Sequence, residues 1–144
     1  MQKEKTVVFI GHNECYGLDK EKLTETIETL IREGFDTFLN GGKGNFDWIC
    51  AATVYKLKEK YPNIKNYLIV PYINNYIPND EYFDEVIYPE VLSTTHYKGK
   101  IQKRNRYMIE NSYVCVCYIN HSWGGAAQSY AVAQRKGLKI INVA

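Results

Sequence analysis

Short apolar runs alternate with longer amphipathic stretches along this chain. Five apolar runs each predict a β-strand, at Thr6–Ile10, Thr37–Asn40, Tyr67–Val70, Tyr113–Ile119 and Lys139–Val143. Four intervening stretches carry apolar residues at helical spacing, at Asp19–Arg32, Phe46–Tyr61, Lys98–Asn111 and Gly124–Lys136. A further run, Val86-Ile87-Tyr88, is ambiguous and could be a short extra strand.

This alternation predicts an α/β fold with a mainly parallel sheet and helices on both faces, which is a three-layer sandwich. The 144 residues fit the size of one domain, so we expect residues 1–144 to form a single domain. The segment Tyr72–Gly99 is the least regular part, with a loop rich in Pro, Asn and Tyr at Asn74–Asn79. It could cover a site as a flap.

Two of the predicted strands run into a Gly-Gly pair and then into a helix. The first pair is Gly41-Gly42, followed by Lys43 and Gly44, and the second is Gly124-Gly125, followed by Ala126. Glycine lets backbone N–H groups approach a ligand closely, and a helix N-terminus favours negative charge. The two turns therefore indicate a ligand that carries phosphate, although the first turn fits neither a Walker A loop nor a dinucleotide fingerprint.

Ligands of open parallel sheets bind outside the carboxyl ends of the strands. By topology, four segments meet at that edge, and they supply the candidate ligand-binding residues Gly11, His12, Asn13, Gly41, Gly42, Lys43, Gly44, Asp47, Arg104, Met108, Asn120, Trp123, Gly124, Gly125 and Ala126. Lys103 and Arg106 lie on the same helical turns as Arg104, and we expect them to form a solvated face.

Several of these residues have two possible roles. Asp47 could cap a helix or bind ribose hydroxyls, and Arg104 could hold a phosphate or pair with an acidic side chain. His12 could be a general base, a ligand donor or an ordinary loop histidine, and Glu14 could be catalytic or merely exposed. Trp123 could pack on the protein or stack on a base. No residue is assigned as catalytic.

Composition narrows the choice of function. The formal net charge is only +2, and no basic stripe is visible, so direct nucleic-acid binding is not expected. No apolar run is long enough to span a membrane and no signal peptide is apparent, so we expect a cytoplasmic protein without membrane contact. We expect the four cysteines to be buried free thiols. Cys15, in a loop near the predicted site, is the one possible reactive thiol. We expect no metal, because no Cys-x-x-Cys pair or metal-spaced histidine cluster occurs. We also expect no cofactor.

The order of these motifs resembles that of the SLOG superfamily, in particular its small YpsA-like members. The resemblance rests on Gly11-His12, Gly41-Gly42-x-Gly44-x-Phe46-Asp47, Lys103-Arg104-Asn105-Arg106-x-Met108 and His121-x-Trp123-Gly124-Gly125-Ala126, and it covers essentially the whole chain. It implies a Rossmann-like fold, a pocket for a nucleotide or nucleotide-derived ligand, and a homo-oligomer rather than a monomer. It also leaves open a module of DNA processing or cell-division control, since some relatives work there.

The resemblance extends distantly to the Lonely Guy phosphoribohydrolases, which split nucleoside monophosphates. Arg104 and Met108 match their Arg-x-x-x-Met motif. Their second motif ends in a glutamate, for which this chain has Gln128 or Ser129, and glutamine cannot act as a general acid or base. Asn13 likewise stands where small relatives often have arginine. We therefore expect binding, as sensing or sequestration of an ADP-ribose-type or similar molecule, with N-glycosidic hydrolysis or transfer on nucleoside monophosphates as the alternative.

Overall fold

The computed structural model of the chain describes residues 1–73 and 76–144. Its sheet contains six strands, all parallel, in the order β4-β3-β2-β1-β5-β6. The strands and helices are β1 (Thr6–Gly11), α1 (Lys20–Arg32), β2 (Thr37–Asn40), α2 (Asn45–Leu57), β3 (Lys65–Ile69), β4 (Glu85–Ile87), α3 (Lys100–Glu110), β5 (Val114–Tyr118), α4 (Gly125–Arg135) and β6 (Lys139–Asn142). This Rossmann-like α/β architecture confirms the predicted fold class.

Helices cover both faces of the sheet, because alternate residues of each central strand point to opposite sides. One core cluster joins α1 and α2 to residues such as Val7 and Phe9 of β1. The other core cluster joins α3 and α4 to Val8 and Ile10, which alternate with Val7 and Phe9 along β1. Every residue of β5 is buried, as expected for a central parallel strand.

The chain changes direction at β1. From there it builds β2, β3 and β4 on one side of β1, then crosses back to place β5 on the other side. Thr6–Gly11 thus pairs with both β2 and β5. In such sheets the crevice beside the central strands is the usual ligand position.

The predicted elements are confirmed in kind, with shifted ends. Helix α1 begins after Asp19, whose side chain accepts hydrogen bonds from two backbone N–H groups of the first turn. Helix α2 ends at Leu57, four residues before the predicted Tyr61, because the chain there continues in tight turns that stop at Pro62. The ambiguous run at 86–88 is a strand, β4, which begins and ends one residue earlier than predicted. It lies at one edge of the sheet.

The irregular segment 72–99 contains three short 3-10 helices besides β4, at Asp80–Tyr82, Glu90–Thr94 and Tyr97–Gly99. Part of the loop predicted at 74–79 lies outside the described residues. No described residue of this segment lines the main cavity presented below, so the predicted flap over that cavity is not found among them. Tyr76, Ile77 and Pro78 instead line a smaller neighbouring cavity. Among the described helices, none is long and apolar enough to cross a bilayer.

Candidate functional site

A cavity of about 810 Å3 opens at the carboxyl ends of β1, β2 and β5. All the predicted site residues line it except Gly42 and Asn120. Gly42 lies in the smaller cavity alongside Arg104, and Asn120 is exposed. Seven further described residues line the cavity but were not predicted to bind a ligand. They are Phe9, Ile10, Glu14, Ile101, Asn105, His121 and Ser129. Ile101 and Asn105 could have been found, because they lie one helical turn from Arg104 and Met108.

The first glycine turn is held by side chains of β2 and of the β1 loop. Asn40, at the end of β2, accepts a hydrogen bond from the Gly42 N–H at 2.7 Å and donates to the Asp47 carbonyl at 2.7 Å. Asn13 accepts from the N–H of Asn45, the first residue of α2, at 3.0 Å. Gly44 between them has a φ of 93°, which favours glycine. The loops after β1 and β2 are thus tied together at the rim of the cavity.

Asp47 is a buried carboxyl group in this turn. Gly44, not Asp47, is the N-cap of α2, but the Asp47 carboxylate reaches back and accepts the Lys43 N–H at 2.9 Å. Burial raises the pKa of Asp47 to about 7, against opposing effects of that hydrogen bond and of the Arg104 charge. A negative or protonated carboxyl therefore already occupies the N-terminus of α2, and this end of the cavity suits hydroxyl groups better than a phosphate.

Arg104 is almost fully buried, with 3% of its surface exposed. Its Nη1 donates to the carbonyl oxygens of Gly41 at 2.9 Å and Ile69 at 2.8 Å, and its Nε donates to Asn105. Burial lowers its pKa, while the Asp47 charge acts in the opposite direction. Among the described residues no acidic side chain lies within ion-pair distance, so the alternative of an acidic partner is not found. Nη2 makes no hydrogen bond to the described residues.

The N-cap glycines of the two turns have nearly the same backbone conformation, but no described side chains like those of Asn13 and Asp47 bond to the second turn. Gly124 has φ 94° and ψ 173°, and Gly44 has φ 93° and ψ 166°. Among the described residues no side chain accepts a hydrogen bond from the first turn of α4, whereas Asn13 accepts one from Asn45 of α2. A Cβ atom at Gly124 or Gly125 would meet nothing within 4 Å. Gly124, Gly125 and Ala126 line the cavity, so a ligand in it can reach the first turn of α4, whose N–H groups have no partner within the helix.

Three aromatic rings are stacked at the rim of the cavity. The ring centroids of His12 and His121 are 3.5 Å apart and those of His121 and Trp123 are 3.8 Å apart, with interplanar angles of 11° and 20°. Burial, and then the charge of His121, lower the pKa of His12. The buried atoms Nε2 of His12 and Nδ1 of His121 have no hydrogen-bond partner among the described residues. His121 is not among the ligand-binding residues predicted from the sequence, although it opens the motif that contains Trp123 and Gly124.

Carboxylates are scarce around the cavity. Glu14 and Asp47 are the acidic residues among its described lining. Gln128 is exposed and does not line the cavity, while the neighbouring Ser129 does. Glu110, at the end of α3, does not line the cavity and is paired with Lys136 at 3.0 Å on the surface. Helix α4 thus presents no group that could take the place of a catalytic glutamate.

The four cysteines are buried and free, as predicted. Cys15 does not line the main cavity but a second one of about 440 Å3. Burial raises the pKa of the Cys15 thiol, which disfavours the reactive thiolate.

Comparison with known proteins identifies relatives over most of the chain. The YpsA family model, described as the YspA SLOG family, matches residues 5–139. The chain is 30% identical to the uncharacterized SPbeta prophage-derived protein YoqJ of Bacillus subtilis over 137 residues, covering 81% of this chain and 80% of that protein. It is 28% identical to a UPF0398 protein of Bacillus velezensis over 103 residues, covering 65% of this chain and 57% of that protein.

Two solved structures of DNA processing protein A share the fold. The Helicobacter pylori protein aligns with a TM-score of 0.66 at 17% identity, over 96% of this chain and 64% of that chain. The Streptococcus pneumoniae protein aligns with a TM-score of 0.52 at 11% identity, over 96% of this chain and 59% of that chain. This chain thus spans slightly less than two thirds of either structure. These similarities are structural, and at such identities they bear on the fold.

One expectation from composition is corrected by this comparison. The near-neutral charge had argued against direct nucleic-acid binding, but the Helicobacter pylori protein that shares the fold is described as having a single-stranded DNA binding mode. Net charge describes the whole surface, whereas a strand can be bound by a few local groups and by stacking. The prediction that direct nucleic-acid binding is not expected, which was based on the net charge, is therefore wrong.

Proposed function

Because the chain belongs to the YpsA family of SLOG proteins, we propose that it binds a nucleotide or nucleotide-derived ligand, such as an ADP-ribose-type molecule, at the carboxyl edge of its sheet. The observation that carries this proposal is the contrast between the two glycine turns. The α2 turn holds the Asp47 carboxyl, whereas the α4 turn at Gly124 and Gly125 is open and uncapped. A phosphate fits the α4 turn, and sugar hydroxyls fit the Asp47 side.

The remaining features of the cavity agree with such a ligand. Its volume of about 810 Å3 lies within the range of small-molecule sites. Arg104 brings a buried positive charge to the same cavity, and its Nη2 is not engaged by the described residues. Hydrogen bonds from arginine to an anion are stronger than those between neutral groups. The protein would thus hold the ligand from two sides, with the N-terminus of α4 at the phosphate and Arg104 beside the first glycine turn.

Binding is favoured over cleavage because of what α4 lacks. N-glycosidic cleavage needs a group that stabilises charge beside the anomeric carbon, and Gln128 is neutral and exposed. We therefore propose a sensing or sequestering role. Asp47, buried and with a raised pKa, is the residue that would supply an acid if the bound nucleotide were cleaved.

The test is a binding measurement by calorimetry and thermal shift with AMP, ADP-ribose and cyclic ADP-ribose isomers. At a ligand concentration of about 100 times Kd, the protein should gain about 2.7 kcal/mol of stability. Chromatography of the same samples detects free base. Its release would show that the protein hydrolyses the nucleotide and does not only bind it. If none of these phosphorylated nucleosides stabilises the protein, the proposal is wrong.

A matched pair of variants locates the phosphate. Gly125→Asp adds a carboxylate at the open turn, where the fold tolerates a side chain and a helix N-terminus favours negative charge. Gln134→Glu adds the same charge near the other end of α4. We expect Gly125→Asp to abolish binding and Gln134→Glu to leave it unchanged. If the two variants change the affinity equally, the α4 turn is not the phosphate site.

Single-stranded DNA is the second candidate ligand, and the fold shared with the Helicobacter pylori protein favours it. Trp123, at the rim of the cavity, is 69% exposed and available for stacking. The test is a fluorescence-anisotropy titration with a labelled oligonucleotide at several salt concentrations. Binding that weakens steeply with salt would support contacts to several phosphates. No binding at low salt would exclude this candidate.

A further inference from the structure

Trp123 closes a stack of three rings and leaves one face open. One side of its indole packs on His121, which packs in turn on His12. Trp123 is nevertheless 69% exposed, so its other side is not covered by the described residues. A tryptophan with so much of its surface in water contributes little to the core, and its orientation is set by the imidazoles beneath it.

The two imidazoles beneath Trp123 have unsatisfied polar atoms, which is unusual for buried groups. His12 is 94% buried, since its exposed fraction is 6%, and its Nε2 has no partner among the described residues. Both histidines line the main cavity. These nitrogens can bond a polar group of a ligand that enters the cavity, while the open face of Trp123 offers a separate surface for stacking.

We propose that the His12–His121–Trp123 stack is the base subsite of this cavity, in which a planar base packs on the open face of Trp123 as the fourth ring. Trp123 directly precedes Gly124 and Gly125, so base and phosphate of one nucleotide can be held by a single short loop. This inference rests on the proposed function.

The proposal defines a class of ligand. Stacking on an indole face tolerates any base, because every base has a π-face, and its strength increases with the area of the ring. The subsite therefore favours purine over pyrimidine nucleotides and discriminates little between adenine and guanine. A ribose phosphate without a base gains nothing from it.

The experiment uses the full chain and the fluorescence of Trp123. Trp48 is the other of the two tryptophans, so a Trp48→Phe background makes Trp123 the only reporter. The probes are AMP, GMP, CMP and ribose 5-phosphate. We expect AMP and GMP to quench the fluorescence strongly, CMP less, and ribose 5-phosphate to bind without quenching.

Variants separate stacking from other effects. Trp123→Ala should weaken AMP binding by about 5- to 150-fold, the range typical of base stacking on an aromatic side chain, and leave ribose 5-phosphate binding unchanged. Trp123→Phe should restore part of the loss. Tyr16→Ala removes another exposed aromatic ring, which lines a different cavity, and should change nothing. A short 5′-phosphorylated oligonucleotide in the same assay shows whether the base comes from a free nucleotide or from the end of a strand.

Each outcome is decisive. If Trp123→Ala leaves AMP binding unchanged, or weakens AMP and ribose 5-phosphate by the same factor, the base subsite is wrong while the proposed function stands. If the wild-type protein binds none of the four probes, nor the oligonucleotide, nor ADP-ribose and its cyclic isomers, the proposed function and this inference fall together.

Discussion

The guanidinium group of Arg104 lies so close to the backbone of Gly41 that a Cβ atom there would stand 3.1 Å from Cζ. The same group donates to the carbonyl oxygen of Gly41 and to that of Ile69. One buried arginine of α3 thus joins the carboxyl ends of β2 and β3, and the first glycine of the turn provides the space for it.

Removing this arginine should destabilise the fold. Arg104→Ala leaves the buried carbonyl oxygen of Ile69 and the partly buried one of Gly41 without their donor, which should lower the free energy of unfolding by ~2–4 kcal/mol. Arg104→Lys retains the charge and should lose less. The measurement is urea denaturation, with Arg106→Ala, at an exposed position of the same helix, as the control. Equal stability of Arg104→Ala and Arg106→Ala would contradict the structural role of Arg104.

The raised pKa of Asp47 predicts a pH-dependent stability. The pKa of its carboxyl is about 7 in the folded chain, against 3.8 for an unperturbed aspartate. Between these values the folded state holds a proton that the unfolded state has lost, so this group makes the free energy of unfolding fall as the pH rises. Asp47→Asn lacks that titration and can still accept the Lys43 N–H.

We therefore expect Asp47→Asn to gain stability relative to wild type as the pH rises from about 4 to 7, by at most ~4 kcal/mol for three pKa units. Urea denaturation at a series of pH values measures this difference. Asp80→Asn, in a short surface 3-10 helix, is the control for the loss of a carboxylate. A difference between Asp47→Asn and wild type that does not change with pH would show that folded Asp47 carries no proton at neutral pH.

The positions of the site residues follow from the sequence more readily than their contacts. Gly-Gly pairs after apolar runs, and an arginine on the apolar stripe of a helix, can be assigned to the sheet edge from topology alone. The partners of Arg104 cannot, because they are carbonyl groups at two strand ends and their positions depend on how α3 packs. The His12–His121 stack is equally invisible, since the two residues come from loops far apart in the chain.

Gly11 predicts a steric effect next to the site. A Cβ atom there would lie 2.2 Å from Cδ2 of the buried Phe46 ring, closer than two carbon atoms can approach. Gly11→Ala should lower the free energy of unfolding by about 1–3 kcal/mol or more through overpacking. Phe46→Leu in the same chain frees space and should recover part of the loss, as a double-mutant cycle by urea denaturation would measure. If the second substitution only adds to the destabilisation, the two residues are not in conflict.

Two glycines at opposite ends of α4 separate ligand binding from backbone strain. Gly124 and Gly137 have φ values of 94° and 78°, and a Cβ atom on either would meet nothing within 4 Å. Alanine is strained at both positions because φ is positive, so each variant should lose about 1–3 kcal/mol of stability. Gly124 lines the cavity and Gly137 does not.

We expect Gly124→Ala to weaken AMP binding by about tenfold or more, equivalent to ~1.4 kcal/mol, because the turn can no longer present its N–H groups to a phosphate. Gly137→Ala, with a similar loss of stability, should bind AMP as the wild type does. Thermal denaturation gives the stabilities and calorimetry gives the affinities. Equal AMP affinities of the two variants would mean that the α4 turn does not bind the phosphate, whatever else the cavity holds.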